Sequence, residues 1–324
     1  MEIKWGIIGC GRIASKFAHD LALVDGNVLH AVASRNVHKA KDFAEENGAT
    51  VYYGSYKALC EDDQVDIVYV ATVHSFHLSV GLEVMEAGKH LLCEKPLGIN
   101  KDEVEQLVNC AQRNNVFLME AMWSRFNPCI QEAYNRVKNG EIGEVNYINA
   151  DFYFISEYDR SHRLFNPDLA GGALLDIGVY PLFLSYIFLG MPNNIVAKSR
   201  LVDDCVDLQT SVILDYDNAQ SVLSFGFQTR SDMRGCINGT SGNIQLLDRW
   251  HESTEYILIQ NEDSKLISVP RIGLGYVHEI LECAKCINEG RSESALWSHS
   301  DSLNLIGMCD EIRAITGAVY PIEL

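Results

Sequence analysis

The chain has 324 residues, of which 47% are hydrophobic and 22% charged, and a formal net charge of −18. That composition is globular, and the length suits two domains of about 100–200 residues each. The acid excess speaks against sequence-independent nucleic-acid binding and against docking on anionic lipid, which both need a dense cationic surface. No run approaches the roughly 18 uninterrupted apolar residues of a membrane helix. The N-terminal Met1-Glu2-Ile3-Lys4-Trp5-Gly6 enters a strand pattern directly, without the layout of a secretion signal, so a cytoplasmic protein is expected.

The first 120 residues alternate short apolar runs with amphipathic stretches. The pattern predicts strands over Lys4–Ile8, Val28–Ala33, Val65–Ala71, His90–Cys93 and Phe117–Met119, with a shorter one near Val51–Tyr52. Helices are predicted between them, over Ile13–Leu23, His38–Asn47, His77–Ala87 and Lys101–Arg113. Strand-helix alternation with short connections implies a parallel sheet covered on both faces, with ligands at the carboxyl ends of its strands.

The texture changes after about Trp123. Arg136–Gly143 reads as a helix end and a turn. Strand patterns follow at Val145–Ile155, Ile195–Val202, Gln209–Leu214, Ser221–Phe227, Cys236–Asn238, Asn243–Leu247 and Tyr256–Ile259, separated by turn signals such as Gly239-Thr240-Ser241-Gly242. They predict a mostly antiparallel sheet with one open face. Helices are predicted over Gly172–Leu189, Tyr276–Glu289 and Ser300–Thr316. The expected division is therefore 1–122 for a domain built on the parallel sheet and 123–324 for a second α/β domain. Ten cysteines are scattered along the chain, several inside apolar runs, as buried reduced thiols are. Cys283 and Cys286 form a lone Cys-x-x-Cys in a helical pattern; core packing is the expectation there and no metal is expected, since zinc would want a second pair or nearby histidines.

Three constellations carry chemistry. The first is Gly9-x-Gly11-x-x-Ala14, after a strand pattern and opening a helix, the context that a dinucleotide fingerprint requires. Gly9 permits the tight turn, Gly11 lets the backbone approach a pyrophosphate, and Ala14 keeps helix and strand close. The amides from Arg12 and Ile13 onward then face the phosphates. The second strand ends Ala33-Ser34-Arg35-Asn36, without the acid that NAD enzymes place there for the ribose 2′-hydroxyl. Ser34 and Arg35, with Lys39 a turn later, suit a 2′-phosphate instead, so NADP(H) is the expected cofactor, with NAD possible.

The second constellation is Glu94-Lys95-Pro96 at the end of the fifth strand of the first domain, beside the expected nicotinamide position. Proline restricts the residue before it, so Lys95 is held in a defined direction. The third is Gly171-Gly172-Ala173-Leu174-Leu175-Asp176-Ile177-Gly178-Val179-Tyr180-Pro181. Asp176 and Tyr180 lie four apart, on one face of an otherwise apolar helix. Two readings stay open there: a catalytic pair, or a helix cap and a core ring. His77 is open between a cofactor contact and a helix N-terminal hydrogen bond. Phe152 and Phe154 are open between pocket wall and core. For Arg160, His162 and Arg163 a solvated loop is preferred over substrate contact.

These motifs, with Ala71-Thr72-Val73-His74-Ser75-Phe76-His77 and Glu120-Ala121-Met122-Trp123-x-Arg125-Phe126-x-Pro128, resemble the glucose–fructose oxidoreductase / inositol dehydrogenase family along essentially the whole chain. The dimeric dihydrodiol dehydrogenase branch, which is similar to NADP-dependent D-xylose dehydrogenases, is nearest. The chain departs from the family pattern in carrying Tyr180 where many members have His, and Thr72-Val73-His74 where Thr-Pro-Asn is common.

The resemblance implies a Rossmann domain, a second domain whose open sheet forms a homodimer, and Lys95 facing Tyr180 across a cleft. It puts Thr72, His77, Glu94 and Lys95 at the cofactor together with Gly9, Gly11, Arg12, Ile13, Ser34 and Arg35. Tyr180 would act as acid/base, and Asp176 would orient Lys95 or the substrate hydroxyl. Trp123 and Phe154 would wall the substrate. The expected activity is hydride transfer to or from a CH–OH or C=O carbon of a small sugar, polyol or diol. The rival activities within the same fold are a glycosidase that oxidises its substrate transiently and a non-catalytic dinucleotide sensor.

Overall fold

A computed structural model describes residues 2–202, 205–261 and 263–324. The chain divides into two compact units: Met1–Phe126 with Ile272–Leu303, and Asn127–Arg271 with Asn304–Leu324.

In the first unit the apolar runs become a parallel sheet, because a strand buried on both faces needs side chains that are apolar on both. The elements are β1 (Ile3–Ile8), α1 (Arg12–Leu21), β2 (Asn27–Ala33), α2 (Val37–Asn47), β3 (Val51–Tyr53), α3 (Tyr56–Cys60), β4 (Ile67–Val70), α4 (His77–Glu86), β5 (His90–Glu94), α5 (Lys101–Asn114) and β6 (Leu118–Ala121). The strand order is β3-β2-β1-β4-β5-β6, with every pairing parallel. This is the doubly wound arrangement, whose order reverses at β1 and β4 and so opens a crevice at their carboxyl ends. Trp5, Phe17 and Tyr69 pack together in the core, the last two stacked with ring centroids 3.8 Å apart.

Ile272–Leu303, which a single cut at 122/123 assigns to the second domain, packs in the first unit. The reason is a set of buried polar bonds. Asp20 of α1 accepts from Leu274 N at 2.8 Å and Tyr276 N at 2.8 Å. Gly273, at φ +60°, lets that carboxylate close over the turn, since a Cβ there would lie 2.3 Å from Asp20 Oδ1. Arg125 donates to Leu296 O, and Trp297 Nε1 donates to Glu120. Helix α8 (Val277–Asn288) follows, with Cys283 and Cys286 both buried in it.

The second unit holds α6 (Pro128–Lys138), β7 (Val145–Tyr153), α7 (Val179–Leu189) and strands β8 (Asn194–Val202), β9 (Val206–Asp215), β10 (Gln220–Gly226), β11 (Gly235–Gly239), β12 (Gly242–Leu246), β13 (Glu255–Gln260) and β14 (Asp263–Ser268). Helix α9 (His299–Thr316) runs on into it from position 304. The eight strands form one sheet in the order β14-β13-β12-β11-β7-β10-β9-β8. Among the described residues only β7 and β10 pair in parallel, so the sheet is mostly antiparallel. The fold is α/β in both units. Strand β14 is absent from the sequence expectation: Asp-Ser-Lys-Leu-Ile-Ser is a largely exposed edge strand without an apolar face.

Among the described residues one segment, Pro167–Leu189, is long and apolar enough by composition to cross a membrane, but 78% of its most apolar window is buried inside the fold. A helix apolar on all sides belongs in a core, and α7 packs there. It opens on a five-residue π-helical turn, Leu174–Gly178, where a plain helix over Gly172–Leu189 was expected. Gly178 makes the close packing possible, since a Cβ there would stand 2.6 Å from the Phe225 ring.

Candidate active site

In the first unit the candidate residues gather at the carboxyl ends of the strands. Gly9 follows β1 at φ +98°, and a Cβ on it would lie 2.6 Å from Ala71 O, so no side chain fits. At Gly11 a Cβ would meet nothing within 4 Å. Gly11 also starts α1 with no side-chain cap and no acid in the first turn. The amides of Arg12, Ile13 and Ala14 therefore open onto clear space at the positive end of a helix dipole, where a diphosphate fits.

The end of β2 is cationic. Ser34 is buried, and its Oγ accepts from Asn36 N at 3.3 Å. Asn36 caps α2. Arg35 is exposed, with its guanidinium carbon 5.4 Å from the Phe76 ring centroid. Lys39 acts on Cys10 in the glycine loop, whose thiol burial pushes up to about 11 against that charge. Among the described residues neither Arg35 nor Lys39 makes an ion pair. Beyond β4, the hydroxyls of Thr72 and Ser75 are buried without a hydrogen-bond partner among the described residues. Buried polar atoms are rarely left unmatched, so these two suit a ligand.

His77 is placed differently from a ligand contact. It is 1% exposed, with Nδ1 2.8 Å from Pro96 O and Nε2 3.2 Å from Thr72 O. Both nitrogens face backbone carbonyls, so the ring ties the β4 loop to the β5 loop and has none left for a cofactor. Burial, helped by the neighbouring His74 and Lys95, pushes its pKa down to about 4. The ring is thus neutral with one donor, and the shorter contact, to Pro96 O, is the donated bond.

Lys95 is held from several sides. Tyr69 Oη donates to Glu94 at 2.5 Å, and Lys95 N donates to the other Glu94 oxygen at 3.3 Å. Burial raises the Glu94 pKa, and the Lys95 charge opposes that shift. The Lys95–Pro96 peptide is cis. Leu97 N donates to Glu120 at 3.0 Å, and the same carboxylate takes Trp297 Nε1 at 2.9 Å and Ser302 Oγ at 2.6 Å. Glu94 therefore acts on the Lys95 loop and contacts a tyrosine, not open space. Trp123 stacks on Tyr276 at 5.0 Å and 8°. Tyr276 was not legible as a site residue, since its ring partner is 153 positions away and its backbone N–H is taken by the distant Asp20. Near it, Glu279 is fully buried, with neither oxygen partnered among the described residues. Burial and the nearby Glu94 and Asp20 raise its pKa well above the usual carboxyl range.

In the second unit the Gly171-Gly172 turn leads into the helix. Asp176, 14% exposed, pairs with Arg163 at 2.7 Å. Arg163, expected as a solvated loop residue, is thus the counter-ion of a candidate catalytic carboxylate. Tyr180, 6% exposed, packs on Phe152 and on His251, with ring centroids at 5.5 and 5.2 Å, and Phe152 stacks on His251 at 4.4 Å. Phe154, the expected substrate wall, instead joins Phe227, which also meets Phe165. His251 escaped the sequence reading because a lone His beside Trp250 carries no spacing signal. Among the described residues no group of three or more His, Cys, Asp or Glu could hold a metal ion.

A doubly wound unit with a glycine-lined helix start, followed by an α/β unit with a helix-borne Asp and Tyr, defines a nicotinamide-dinucleotide oxidoreductase. Comparison with known proteins agrees. Residues 3–122 match the oxidoreductase family described as an NAD-binding Rossmann fold, and residues 130–245 match the GFO/IDH/MocA C-terminal domain. The chain is 35% identical to a trans-1,2-dihydrobenzene-1,2-diol dehydrogenase of Xenopus tropicalis, over 99% of this chain and 100% of that one. It is 34% identical to the enzyme of the same name from Danio rerio, over 99% and 98%. Among solved structures, the 3-ketoreductase KijD10 of Actinomadura kijaniata, in complex with NADP and TDP-benzene, superposes with a TM-score of 0.89 at 27% identity, over 99% of both chains. Variants of that ketoreductase with a lysine or a tyrosine replaced have also been solved. The chain belongs to the GFO/IDH/MocA family and is a dehydrogenase or reductase.

Proposed function

We propose that this enzyme uses NADP(H) to transfer a hydride to or from a CH–OH or C=O carbon of a small sugar, polyol or diol, with Tyr180 and Lys95 acting on one substrate oxygen. The observation that carries the reading is the fixing of Lys95. Bonds through Glu94, Pro96 and Leu97 anchor the backbone around it at the end of β5, a demand that a solvated surface lysine does not make. When bound, the nicotinamide supplies or takes up the hydride. Tyr180 then gives a proton to the substrate oxygen in reduction, or takes one in oxidation. A free tyrosine has a pKa near 10, so an ammonium acting on the same oxygen is needed to favour the tyrosinate, and that ammonium also stabilises the growing alkoxide. Asp176, neutralised in part by Arg163, orients the substrate hydroxyl. The stacked rings of Trp123 and Tyr276 suit the carbon side of a small diol or sugar.

NADP preference rests on Ser34, Arg35 and Lys39 at the end of β2, where the sequence places no acid and, among the described residues, no carboxylate pairs with the two cations. Diol or sugar substrates are supported by what the relatives' names state of them. Homodimer formation through the second unit's sheet is supported by an exposed apolar row, Val196, Ile213 and Val222, which lie opposite one another on β8, β9 and β10. The test is a panel of aldoses, polyols, 1,2-diols and diketones followed by NADPH absorbance. Turnover confined to such compounds and faster with NADP(H) than NAD(H) is expected. No turnover with any of them, or a preference for NAD(H), contradicts the assignment.

A further inference from the structure

We propose that Asp207 is a positioning residue for proton transfer: it fixes where Tyr180 stands by holding the start of the helix that carries it. The inference rests on the reading of Tyr180 as acid/base. Asp207 lies on β9 and is 4% exposed. Its two oxygens accept from Leu174 N at 3.2 and 3.0 Å, and Oδ2 also takes the Thr210 hydroxyl at 2.7 Å. A carboxylate at this place meets amides that the first helical turn leaves without carbonyl partners, and it meets the positive end of the dipole.

The seating allows no other turn residue. Gly172 has φ +140°, and a Cβ on it would lie 2.3 Å from Asp207 Oδ1. On the far side, a Cβ at Gly171 would stand 2.9 Å from Arg163 O and Asn166 N. One turn is therefore clamped between Asp207 and the loop that bears Arg163, the partner of Asp176. Thr210 has one hydroxyl proton and gives it to Asp207, so Ser199 Oγ, 2.7 Å away, must donate to Thr210. Tyr320 is fully buried, and the charge of Asp207 adds to the burial that pushes its hydroxyl pKa up. Asp207 cannot swing aside without breaking this chain, and Tyr180 stands just beyond the π-helical turn that begins at Leu174. The glycine pair is thus explained by a carboxylate 35 positions downstream of Gly172.

The experiment measures steady-state turnover, NADPH binding by fluorescence and thermal midpoint for Asp207→Ala, Asp207→Asn and Tyr180→Phe. Asp207→Ala is expected to lower kcat about tenfold to a hundredfold, the scale of a misplaced catalytic group, with NADPH affinity unchanged. Asp207→Asn is expected to recover most of kcat, since its amide oxygen still accepts from Leu174 N. Wild-type kcat in Asp207→Ala with only a lowered midpoint overturns the proposal, and so does an Asn variant as slow as the Ala variant. If Tyr180→Phe loses turnover while Asp207→Ala keeps it, the positioning role fails alone. Normal turnover in Tyr180→Phe removes the underlying reading and this role with it. Should Asp207→Ala not fold, Thr210→Val decides: a partial loss of kcat with unchanged NADPH affinity supports the proposal, and unchanged kcat overturns it.

Discussion

The two units hold their candidate catalytic groups by opposite means. Around Lys95 the first unit pins the backbone with a neutral imidazole, His77, and a carboxylate saturated by three donors, Glu120. Around Tyr180 the second unit pins the start of a helix through the Asp207 carboxylate, and the ring packs against Phe152 and His251. A flexible amine needs its loop fixed on both sides, whereas a phenol on a stiff helix needs one fixed end. The difference teaches that the polar groups which place the two candidates lie behind them, in the loop backbone and at the helix start.

Replacing the two candidate catalytic groups should have the largest effect. Tyr180→Phe and Lys95→Met are each expected to lower kcat by about two orders of magnitude or more, the usual reach of general acid–base catalysis, with NADPH still bound. A variant that turns over at the wild-type rate would break the comparison on that side.

The two anchors should also respond to pH with opposite signs. His77 titrates at 6.5 when exposed and at about 4 in the fold, so the fold's advantage is complete above 6.5 and drains away as pH falls toward 4. Asp207 goes from 3.8 exposed to about 6 buried, since burial disfavours its charge; its fold is most stable below 3.8 and loses stability as pH rises to about 6. Each span corresponds to about 3 kcal/mol of local opening. Hydrogen exchange between pH 6.5 and 4 should therefore show amides near Pro96 losing protection while those near Leu174 gain it. Both moving together would mean that the two units do not open separately.

A smaller effect is expected at the cofactor's far end. Arg35→Ala should weaken NADPH by about tenfold to a hundredfold, from the loss of a charged hydrogen bond of about 1.5–3 kcal/mol, and should leave NADH nearly unchanged in a fluorescence titration. Equal loss for both cofactors would detach Arg35 from the 2′-phosphate. Smallest for catalysis is Ile213→Asp, which is expected to halve the mass by light scattering and to change kcat little. A monomeric wild type would remove the sheet-mediated dimer.

Much of this was legible in the sequence because it is written locally. Apolar runs at β1, β2, β4 and β5 announce a covered parallel sheet, and Gly9 and Gly11 announce its phosphate end, since strand burial and a tight turn each need only neighbours in the chain. Glu94-Lys95-Pro96 and the glycine pair before Asp176 were visible for the same reason. What stayed hidden depends on distant partners. Asp20 looks like an ordinary helix residue until Leu274 and Tyr276 return to it. Arg163 reads as a loop cation until Asp176 meets it. His77 looks like a ligand until both nitrogens are found against carbonyls. The π-helical turn at Leu174–Gly178 has no periodicity of its own, and β14 lacks the alternation that marks a half-buried strand.

The most direct test of the shared role of Lys95 and Tyr180 is the turnover of the double variant Lys95→Met/Tyr180→Phe beside the two singles. Residues that serve one step are strongly non-additive, so the double variant should be little slower than the slower single. A double variant whose loss is the full product of the two single losses would show that the amine and the phenol act independently, and would contradict the account.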